Sequence, residues 1–440
     1  MYLKSKNIDM LTGQIAGKML LFTIPIALSS MLQQLFNAAD TAVVGLFGDA
    51  NALAAVGTNT EIVALIVSIS AGLAVGANLL IADRIGRKET GKIPESIQTA
   101  LLLALIIGIA GCVLGQFVCK PLLQLIKTPS AILDEATLYL RIYLIGYPFL
   151  LLYDFASAIL RAHGDSRYPF IALTLSGIAN VGLNLFFVVV FHMGVMGVAA
   201  ATAISTALSA TLVLVRLKKE AHLSIRRVRF VKAYAIEMLK AGIPAAVQGA
   251  VFCFANIFVQ ASVNTFGETA IAGSTIAMNF EYFTYYIITA FGQAVTTFTG
   301  QNYAAGQYVR CRRILRDSLM LSTLCSSIPI FAIVIFRSFF CGMFTADAAV
   351  IESASVRILC ILLFEPLCNL YEIPAGCLRG RGQSLYPAVA TMVGTCAFRV
   401  IWIFTVFRAN PTLPMLYHAF PLSWLATIAL LNIGFCFNRK

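Results

Sequence analysis

Long apolar runs separated by short polar connections recur along the whole chain, from Met19 to Phe435. Each run reaches the ~20 residues that a helix needs to cross the ~30 Å hydrocarbon layer of a membrane. Continuous runs of this length favour helices, because a membrane-spanning strand alternates apolar and polar positions. The pattern predicts twelve spans, at 18–45, 52–80, 95–119, 134–160, 168–191, 195–216, 236–263, 271–300, 317–336, 351–378, 385–408 and 415–436.

Composition and local motifs narrow the class of protein. Only 12% of the 440 residues are charged, against roughly 25% in soluble domains, so an all-α integral membrane fold is predicted. The eleven cysteines form no CxxC pair and the four histidines lie far apart, so neither a metal site nor a cofactor is predicted. The loop Gly86–Lys92 has the spacing of a phosphate-binding loop, but Ile93 replaces the Ser or Thr that contacts magnesium. Lacking a nucleotide site and any catalytic constellation, the chain is predicted to be an ion-gradient-driven transporter and not an enzyme.

Basic residues are concentrated in alternate connections between the predicted spans. With a cytoplasmic start, 24 of the 32 lysines and arginines fall in loops on the starting side, which is the positive-inside pattern. The net charge of +12 therefore reports orientation in the bilayer rather than binding to nucleic acid. The pattern predicts a multi-pass protein of the cell membrane with both termini in the cytoplasm, and we expect it to be a monomer.

The two halves of the chain repeat each other. A shift of 218 residues places LRAHGDSRYP (160–169) on LRGRGQSLYP (378–387), with six of ten residues identical. Shifts of 219 to 220 residues align further positions, among them Asn37 with Asn256. Six spans per half put both halves in the same orientation, which predicts two parallel six-helix repeats with a central cavity.

The longest polar connection, Arg216 to Lys232, gives the boundary between these halves. We predict a cytoplasmic amino-terminal segment at 1–17 and a six-helix bundle at 18–216. A cytoplasmic linker at 217–235 and a second six-helix bundle at 236–440 complete the predicted organisation.

Three segments resemble the multidrug and toxic compound extrusion (MATE) family. They are Asn37–Asp40 with the following Val44–Gly45 and LAAVG (53–57), the repeated LRxxGxSxYP, and Asn180–Asn184. The resemblance covers nearly the whole chain. It implies an antiporter that exchanges H⁺ or Na⁺ for lipophilic, often cationic organic compounds by alternating access, with Asp40 as the cation-coupling carboxylate.

Two departures from the family pattern leave the coupling ion open. Asn184 stands where many proton-coupled members carry Asp, and Phe252 stands near a Glu of sodium-type members.

Two other classes of transporter also stay open. The loop Asp83–Lys88 resembles one in the major facilitator superfamily, which would make the chain a drug/proton antiporter of that superfamily. A flippase for lipid-linked oligosaccharides has a related fold, but only Arg141 and Arg399 are candidate charges for its pyrophosphate.

Carboxylates inside the predicted spans are functional candidates, because a charged side chain at the membrane centre costs about 2.5 to 3.5 kcal/mol. The six are Asp40, Glu61, Asp154, Glu281, Glu365 and Glu372. The repeat pairs Glu61 with Glu281 and Asp154 with Glu372. Asp40 aligns with Val259 and Glu365 aligns with Tyr147. This asymmetry separates candidates for ion coupling from candidates for scaffolding.

The predicted coupling site centres on Asp40. Helical spacing puts Gln33, Asn37 and Asp40 on one face of the first span, and Asn180 and Asn184 on one face of the fifth. We expect these faces to meet and the four residues Asp40, Asn37, Asn180 and Asn184 to bind the coupling ion. A structural role in bonding helices together is the alternative for the amide side chains.

Other polar positions are assigned to the substrate cavity or to a gate. The candidates for the cavity are Gln33, Asn59, Glu61, Asn256, Gln260, Asn279, Glu281 and Tyr282. Pro25 offers a place for the first helix to bend. Asp154 and Glu372 each lie seven residues before Arg161 or Arg379, and these four are predicted to form a gate or structural pairs.

The charge pattern predicts that the loops containing Lys88, Arg227 and Arg313 are cytoplasmic. Cysteines placed singly at these positions should resist a membrane-impermeant maleimide in intact cells and react after permeabilisation. Labelling of any one of them in intact cells contradicts the topology.

Overall fold

The computed structural model describes residues 7–47, 50–220 and 229–437. Predictions that concern Arg227 and the charged residues at the two chain ends lie outside these described residues. Helices account for almost all of the described chain, which contains no strand, so the all-α prediction is confirmed.

Seven α-helices precede the long basic connection. They are α1 (Ile15–Phe47), α2 (Ala50–Gly86), α3 (Ile93–Leu125), α4 (Ser130–Ile145), α5 (Tyr147–Ala162), α6 (Arg167–Leu185) and α7 (Gly194–Glu220). Ten follow it: α8 (Lys232–Asn264), α9 (Glu268–Ala304), α10 (Tyr308–Ile335), α11 (Arg337–Gly342), α12 (Ala348–Cys360), α13 (Asn369–Gly380), α14 (Leu385–Thr391), α15 (Phe398–Trp402), α16 (Leu413–Tyr417) and α17 (Ala419–Phe437). Wider π-helical turns at Phe186–Val190, Met392–Ala397 and Ile403–Phe407 continue α6, α14 and α15.

Nine helices of the described chain are long and apolar enough to cross a membrane, and α4 with α5 makes a tenth if the pair is one broken span. The helix α9 and the α12–α13 segment are less apolar, since they carry Glu281 and Arg357. They occupy the repeat positions of α2 and α4–α5. The total is about twelve spans, as the apolar runs predict.

Two predicted spans are interrupted, one in each repeat. The axes of α4 and α5 differ by 44°, although the pattern predicts a single span at 134–160. Pro148 lies in the first turn of α5 and cannot donate a backbone hydrogen bond to the preceding turn. Its repeat counterpart Pro366 lies in the 3₁₀ turn Leu362–Cys368 between α12 and α13, so the same chemistry interrupts both repeats.

The described chain forms two compact units whose boundaries differ from the predicted halves. Unit 1 comprises Met1–Asp9 and Leu28–Ala246, and unit 2 comprises Met10–Ala27 and Val247–Lys440. The boundaries cut α1 and α8 two residues after Pro25 and Pro244. Each helix has 33 residues, or ~50 Å at 1.5 Å per residue, and its two parts belong to different units.

Glycines explain why the start of α8 belongs to unit 1. A Cβ on Gly76 of α2 would overlap the backbone of Met238, and one on Gly72 would overlap Ala246. The two helices therefore pack backbone to backbone. In unit 2 the start of α1 is held by Phe22, whose buried ring meets Phe298 of α9 edge-on at 5.6 Å between centroids.

Charged residues of the α2–α3 connection pair locally. Arg87 donates to Asp83 at 2.8 Å, and this carboxylate raises the pKa of the guanidinium. Lys92 lies 3.1 Å from Glu89 and lowers the pKa of that carboxyl. Arg84 lies 3.2 Å from Glu237 of α8, so the loop compared above with the major facilitator superfamily is held by ion pairs within the connection and to α8.

Helices α1 and α6 of unit 1 are packed through a glycine. A Cβ on Gly177 would overlap the ring of Phe36. The absence of a side chain at Gly177 therefore lets α1 approach α6 one turn before Asp40.

Gly177→Ala should destabilise unit 1 by about 1–3 kcal/mol, because the added methyl must displace the Phe36 ring from a packed contact. Thermal unfolding of the purified protein in detergent measures the effect. The control is Gly182→Ala on the same helix, where a Cβ has no neighbour within 4 Å and helix propensity alone favours Ala by up to ~1 kcal/mol. Equal melting temperatures for the two variants would contradict the packing role.

Candidate functional site

Asp40 lies at the centre of a buried polar cluster in unit 1. Its side chain is 7% exposed. Asn184 of α6 donates from Nδ2 to Oδ1 of Asp40, and Thr202 of α7 donates to Oδ2 at 3.1 Å. The first, sixth and seventh helices therefore meet at one carboxylate.

Helical spacing on α6 presents both amides to Asp40. Gly177, Asn180 and Asn184 recur at intervals of three and four residues and share one face. Asn184 also donates to Oδ1 of Asn180 at 3.2 Å, and Asn180 donates to Thr202 at 3.4 Å. The close contact at Gly177 and this chain of amides bring α6 against Asp40, so the predicted meeting of the two polar faces is observed for three of the four coupling residues.

The charge of Asp40 has no basic partner among the described residues. Both of its hydrogen-bond donors are neutral. In the same cluster, Oδ1 of Asn184 is buried and accepts no hydrogen bond from the described residues. A buried carboxylate beside an unsatisfied amide oxygen is a favourable place for a cation, because the carboxylate lacks a counter-ion and the amide oxygen lacks a partner.

Thr202 is the member of this cluster that the sequence patterns did not single out. Its hydroxyl lies within hydrogen-bonding distance of two acceptors, Oδ2 of Asp40 at 3.1 Å and the carbonyl of Val198 at 2.9 Å. A small cavity reaches Thr202 and is also lined by Tyr143 and Tyr147. The signal that could have identified Thr202 is the row of hydroxyl residues along α7, which includes Ser205, Thr206 and Ser209.

The structure does not bring Asn37 into the cluster. Its side chain is exposed, and only its backbone carbonyl is bonded, by Thr41 at 3.2 Å. Gln33 is half-buried. The three residues predicted to share one face of α1 therefore differ in environment. Asn37 lies about 60° around the helix from Asp40, and Gln33 lies about two turns before it.

The predicted pairs near the helix-ending arginines differ between the repeats. Ser70 of α2 donates to Asp154 at 2.6 Å, and Arg161 forms no ion pair with it among the described residues. In unit 2, Glu372 lies 3.3 Å from Arg379. Gln248 accepts from the same arginine at 3.2 Å.

Glu61 and Glu281 occupy matching repeat positions but have different partners. Glu61 is exposed. Glu281 forms a two-fold ion pair with Arg357 of α12, at 2.7 and 2.8 Å, and Ser274 accepts a third bond from this arginine at 2.7 Å. Glu281 therefore neutralises a buried arginine. Glu365, the remaining intramembrane acid, is buried and accepts from Thr284 at 2.6 Å.

The residues assigned to a substrate cavity fall into two groups. Asn59 is fully buried and donates to the carbonyls of Ala55 and Ala136, so it joins α2 to α4 and cannot line a cavity, which corrects the prediction. The side chains with exposed surface are Gln33, Glu61, Asn256, Gln260, Asn279, Glu281 and Tyr282. Among these, Gln260 donates to Asn264 and Asn256 accepts from Arg399.

A bundle of membrane-crossing helices that buries a carboxylate among neutral donors is typical of secondary transporters. The sequence model of the MatE family matches residues 25–186 and 244–405. The chain therefore belongs to the MatE (MATE) family, whose members are transporters and not enzymes. The two matched segments are the two repeats. Because the chain belongs to this family, it is not a member of the major facilitator superfamily, the alternative considered from the sequence.

Individual relatives support the same assignment. The chain is 26% identical to the probable multidrug resistance protein YoeA of Bacillus subtilis, over 85% of this chain and 83% of that protein. It is 25% identical to a FAD transporter of Shewanella oneidensis, over 84% and 85%. The solved structure of a MOP superfamily transporter from Pyrococcus furiosus superimposes with a TM-score of 0.89 at 20% identity, covering 100% of this chain and 98% of that one, which shows the shared fold.

Glu281→Gln should destabilise unit 2 by about 3–5 kcal/mol, because it leaves the Arg357 guanidinium buried without a counter-ion. Thermal unfolding in detergent tests this. The matched control is Glu61→Gln at the equivalent repeat position, which should stay within about 0.5 kcal/mol of wild type because Glu61 is exposed. A smaller effect of Glu281→Gln than of Glu61→Gln would refute the structural role.

Proposed function

We propose that the chain is a secondary active exporter that exchanges a proton or sodium ion for lipophilic, often cationic organic compounds, and that Asp40 is the coupling carboxylate. The observation that carries the proposal is the burial of Asp40 among neutral donors only. The relative named for multidrug resistance supports drug-like cargo. The relative named for FAD indicates that cargo differs between similar chains.

A proton on Asp40 would change its hydrogen bonds. A carboxylate only accepts, whereas the protonated acid also donates. Thr202 can then turn its hydroxyl from Oδ2 of Asp40 to the carbonyl of Val198 without losing a hydrogen bond. Protonation of Asp40 therefore weakens the hydrogen bond between α1 and α7, while the Thr202 hydroxyl of α7 keeps a hydrogen bond to Val198.

A sodium ion is the second candidate for the same place. Hard cations take oxygen ligands, and the cluster offers the carboxylate of Asp40 with the side-chain oxygens of Asn180, Asn184 and Thr202. Either ion would neutralise the buried charge. Pro25, on the same helix as Asp40 and beside the boundary at Ala27, is a place where this change could bend α1.

The remaining parts of the proposal concern location and assembly. The basic connections favour the cell membrane with both termini in the cytoplasm. The twelve spans need no partner subunit to complete the site in unit 1, which favours a monomer. Transport driven by an ion gradient fits a chain without a nucleotide-binding motif.

Asp40→Asn keeps the size and most hydrogen bonds of the side chain but holds it permanently neutral. The variant should insert normally and lose gradient-driven efflux about tenfold or more, because the two states no longer differ in charge. Efflux of a fluorescent lipophilic cation from vesicles, with an imposed pH gradient or an imposed sodium gradient, measures the loss and identifies the ion.

The matched control is Asp154→Asn, which neutralises a half-buried carboxylate of unit 1 that is bonded to Ser70. It should retain most of the efflux at equal expression. Wild-type efflux from Asp40→Asn would rule out the coupling role and direct attention to Glu61, the exposed acid of α2.

A further inference from the structure

Unit 2 buries an arginine that has no carboxylate partner in the part of the chain that the structure describes. Arg399 of α15 is 1% exposed. Its Nε donates to Ser423 at 3.1 Å and its Nη1 donates to Asn256 at 3.3 Å. Among the described residues, no acid lies at ion-pair distance from this guanidinium and its Nη2 makes no hydrogen bond. Arg357 of the same unit, by contrast, has Glu281.

Aromatic rings offset only part of this charge. The guanidinium lies 4.0 Å from the ring centroid of Phe420 and 5.5 Å from that of Phe252. Such contacts stabilise a cation through the ring faces. They do not cover the edge of the guanidinium plane. Anions bind at this edge through parallel N–H donors. A buried charge without a counter-ion is costly, and an arriving anion would supply the missing charge.

The repeat places Arg399 where unit 1 has its coupling cluster. The matched segments 25–186 and 244–405 begin and end 219 residues apart. This offset pairs Asn180 with Arg399 and Asn37 with Asn256. It also pairs Asp40 with Val259, so the acid of unit 1 has no equivalent in unit 2.

The same three helices of each repeat build both clusters. In unit 1 the side chains come from α1, α6 and α7. In unit 2 they come from α8, α15 and α17, with Asn256, Arg399 and Ser423 in contact. Two contacts hold the segment before α15 against α17. Gly394 approaches Thr427 closely, and the Thr395 and Thr427 hydroxyls are bonded at 2.8 Å. Equivalent places in the two units therefore carry charges of opposite sign.

We propose that Arg399, Asn256 and Ser423 form an anion site in unit 2 that binds a carboxylate or phosphate group. Nη2 of Arg399 supplies a free donor. Asn256 is half-buried and its Nδ2 makes no hydrogen bond among the described residues, so it supplies a second donor. The anionic group is either part of a transported compound or a free inorganic anion. The proposal goes beyond ion coupling at Asp40, since binding in unit 2 requires no gradient.

The only two tryptophans of the chain report on this place. Trp402 follows Arg399 on α15, and Trp424 is the neighbour of Ser423 on α17. Tryptophan fluorescence of the purified full-length protein is therefore a binding signal for unit 2. The probes are octanoate, methyl octanoate, inorganic phosphate and chloride, none of which absorbs where tryptophan is excited.

Wild-type protein should bind octanoate at least about tenfold more tightly than its uncharged methyl ester. Arg399→Gln should remove this preference. Phe252→Glu keeps the arginine but places a carboxylate beside it, and it should remove the preference as well, which provides a second test if Arg399→Gln folds poorly. Gly182→Ala on α6, where a Cβ has no neighbour within 4 Å, should leave octanoate binding unchanged.

The probes also separate the two sources of the anion. A response to octanoate alone assigns the site to an acidic group on a transported compound. A response to phosphate or chloride as well assigns it to a free anion. The absence of any anion response in wild type, or the same response in wild type and in both variants, would overturn the proposal. Failure of coupling at Asp40 appears separately, as unchanged efflux from Asp40→Asn.

Discussion

The burial of one carboxylate among neutral donors is the constraint on which unit 1 depends. Asp40 is held by an amide of α6 and a hydroxyl of α7, and the glycine contact between Gly177 and Phe36 brings α1 close enough for these bonds. A charge in this position is unfavourable without a nearby cation. Burying the Asp40 charge is unfavourable, and this makes the site respond to a cation. Adding one positive charge neutralises Asp40 and rearranges the hydrogen bonds of Thr202.

The two repeats use one helical architecture for different electrostatics. Among the described residues, unit 1 holds an acid without a base at the meeting point of its first, fifth and sixth spans, and unit 2 holds a base without an acid at the equivalent point. Elsewhere unit 2 pairs two of its acids with arginines, Glu281 with Arg357 and Glu372 with Arg379. Glu365 is also buried without a basic partner among the described residues, and it accepts from Thr284. Asp40 and Arg399 differ from it in lying at equivalent points of the two repeats.

Much of this architecture could be predicted from the sequence because it depends on local pattern. Apolar runs define the spans, the 219-residue repeat defines the two-fold organisation, and helical spacing places Asn180 and Asn184 on one face.

Contacts that depend on tertiary packing could not be predicted in this way. Arg357 gave no sign that it would neutralise Glu281, 76 residues away, and Thr202 lies on a helix with many hydroxyl residues. The sequence shows where Pro148 and Pro366 lie, but whether a proline kinks or breaks a span depends on its neighbours. The unit boundary at Ala246 follows from glycine-mediated packing of α8 on α2, and the boundary at Ala27 follows from the contact of Phe22 with Phe298. No periodicity reveals either contact.

Proton release from purified protein tests coupling at Asp40 most directly. If protons and cargo compete for one buried charge, adding a lipophilic cation to weakly buffered wild-type protein should release close to one proton per molecule, detected with a pH indicator. Asp40→Asn should release none, and Asp154→Asn should release as much as wild type. A sodium-coupled protein would instead release sodium, again only with Asp40 intact. Equal release of either ion from wild type and Asp40→Asn would contradict the central role of this carboxylate.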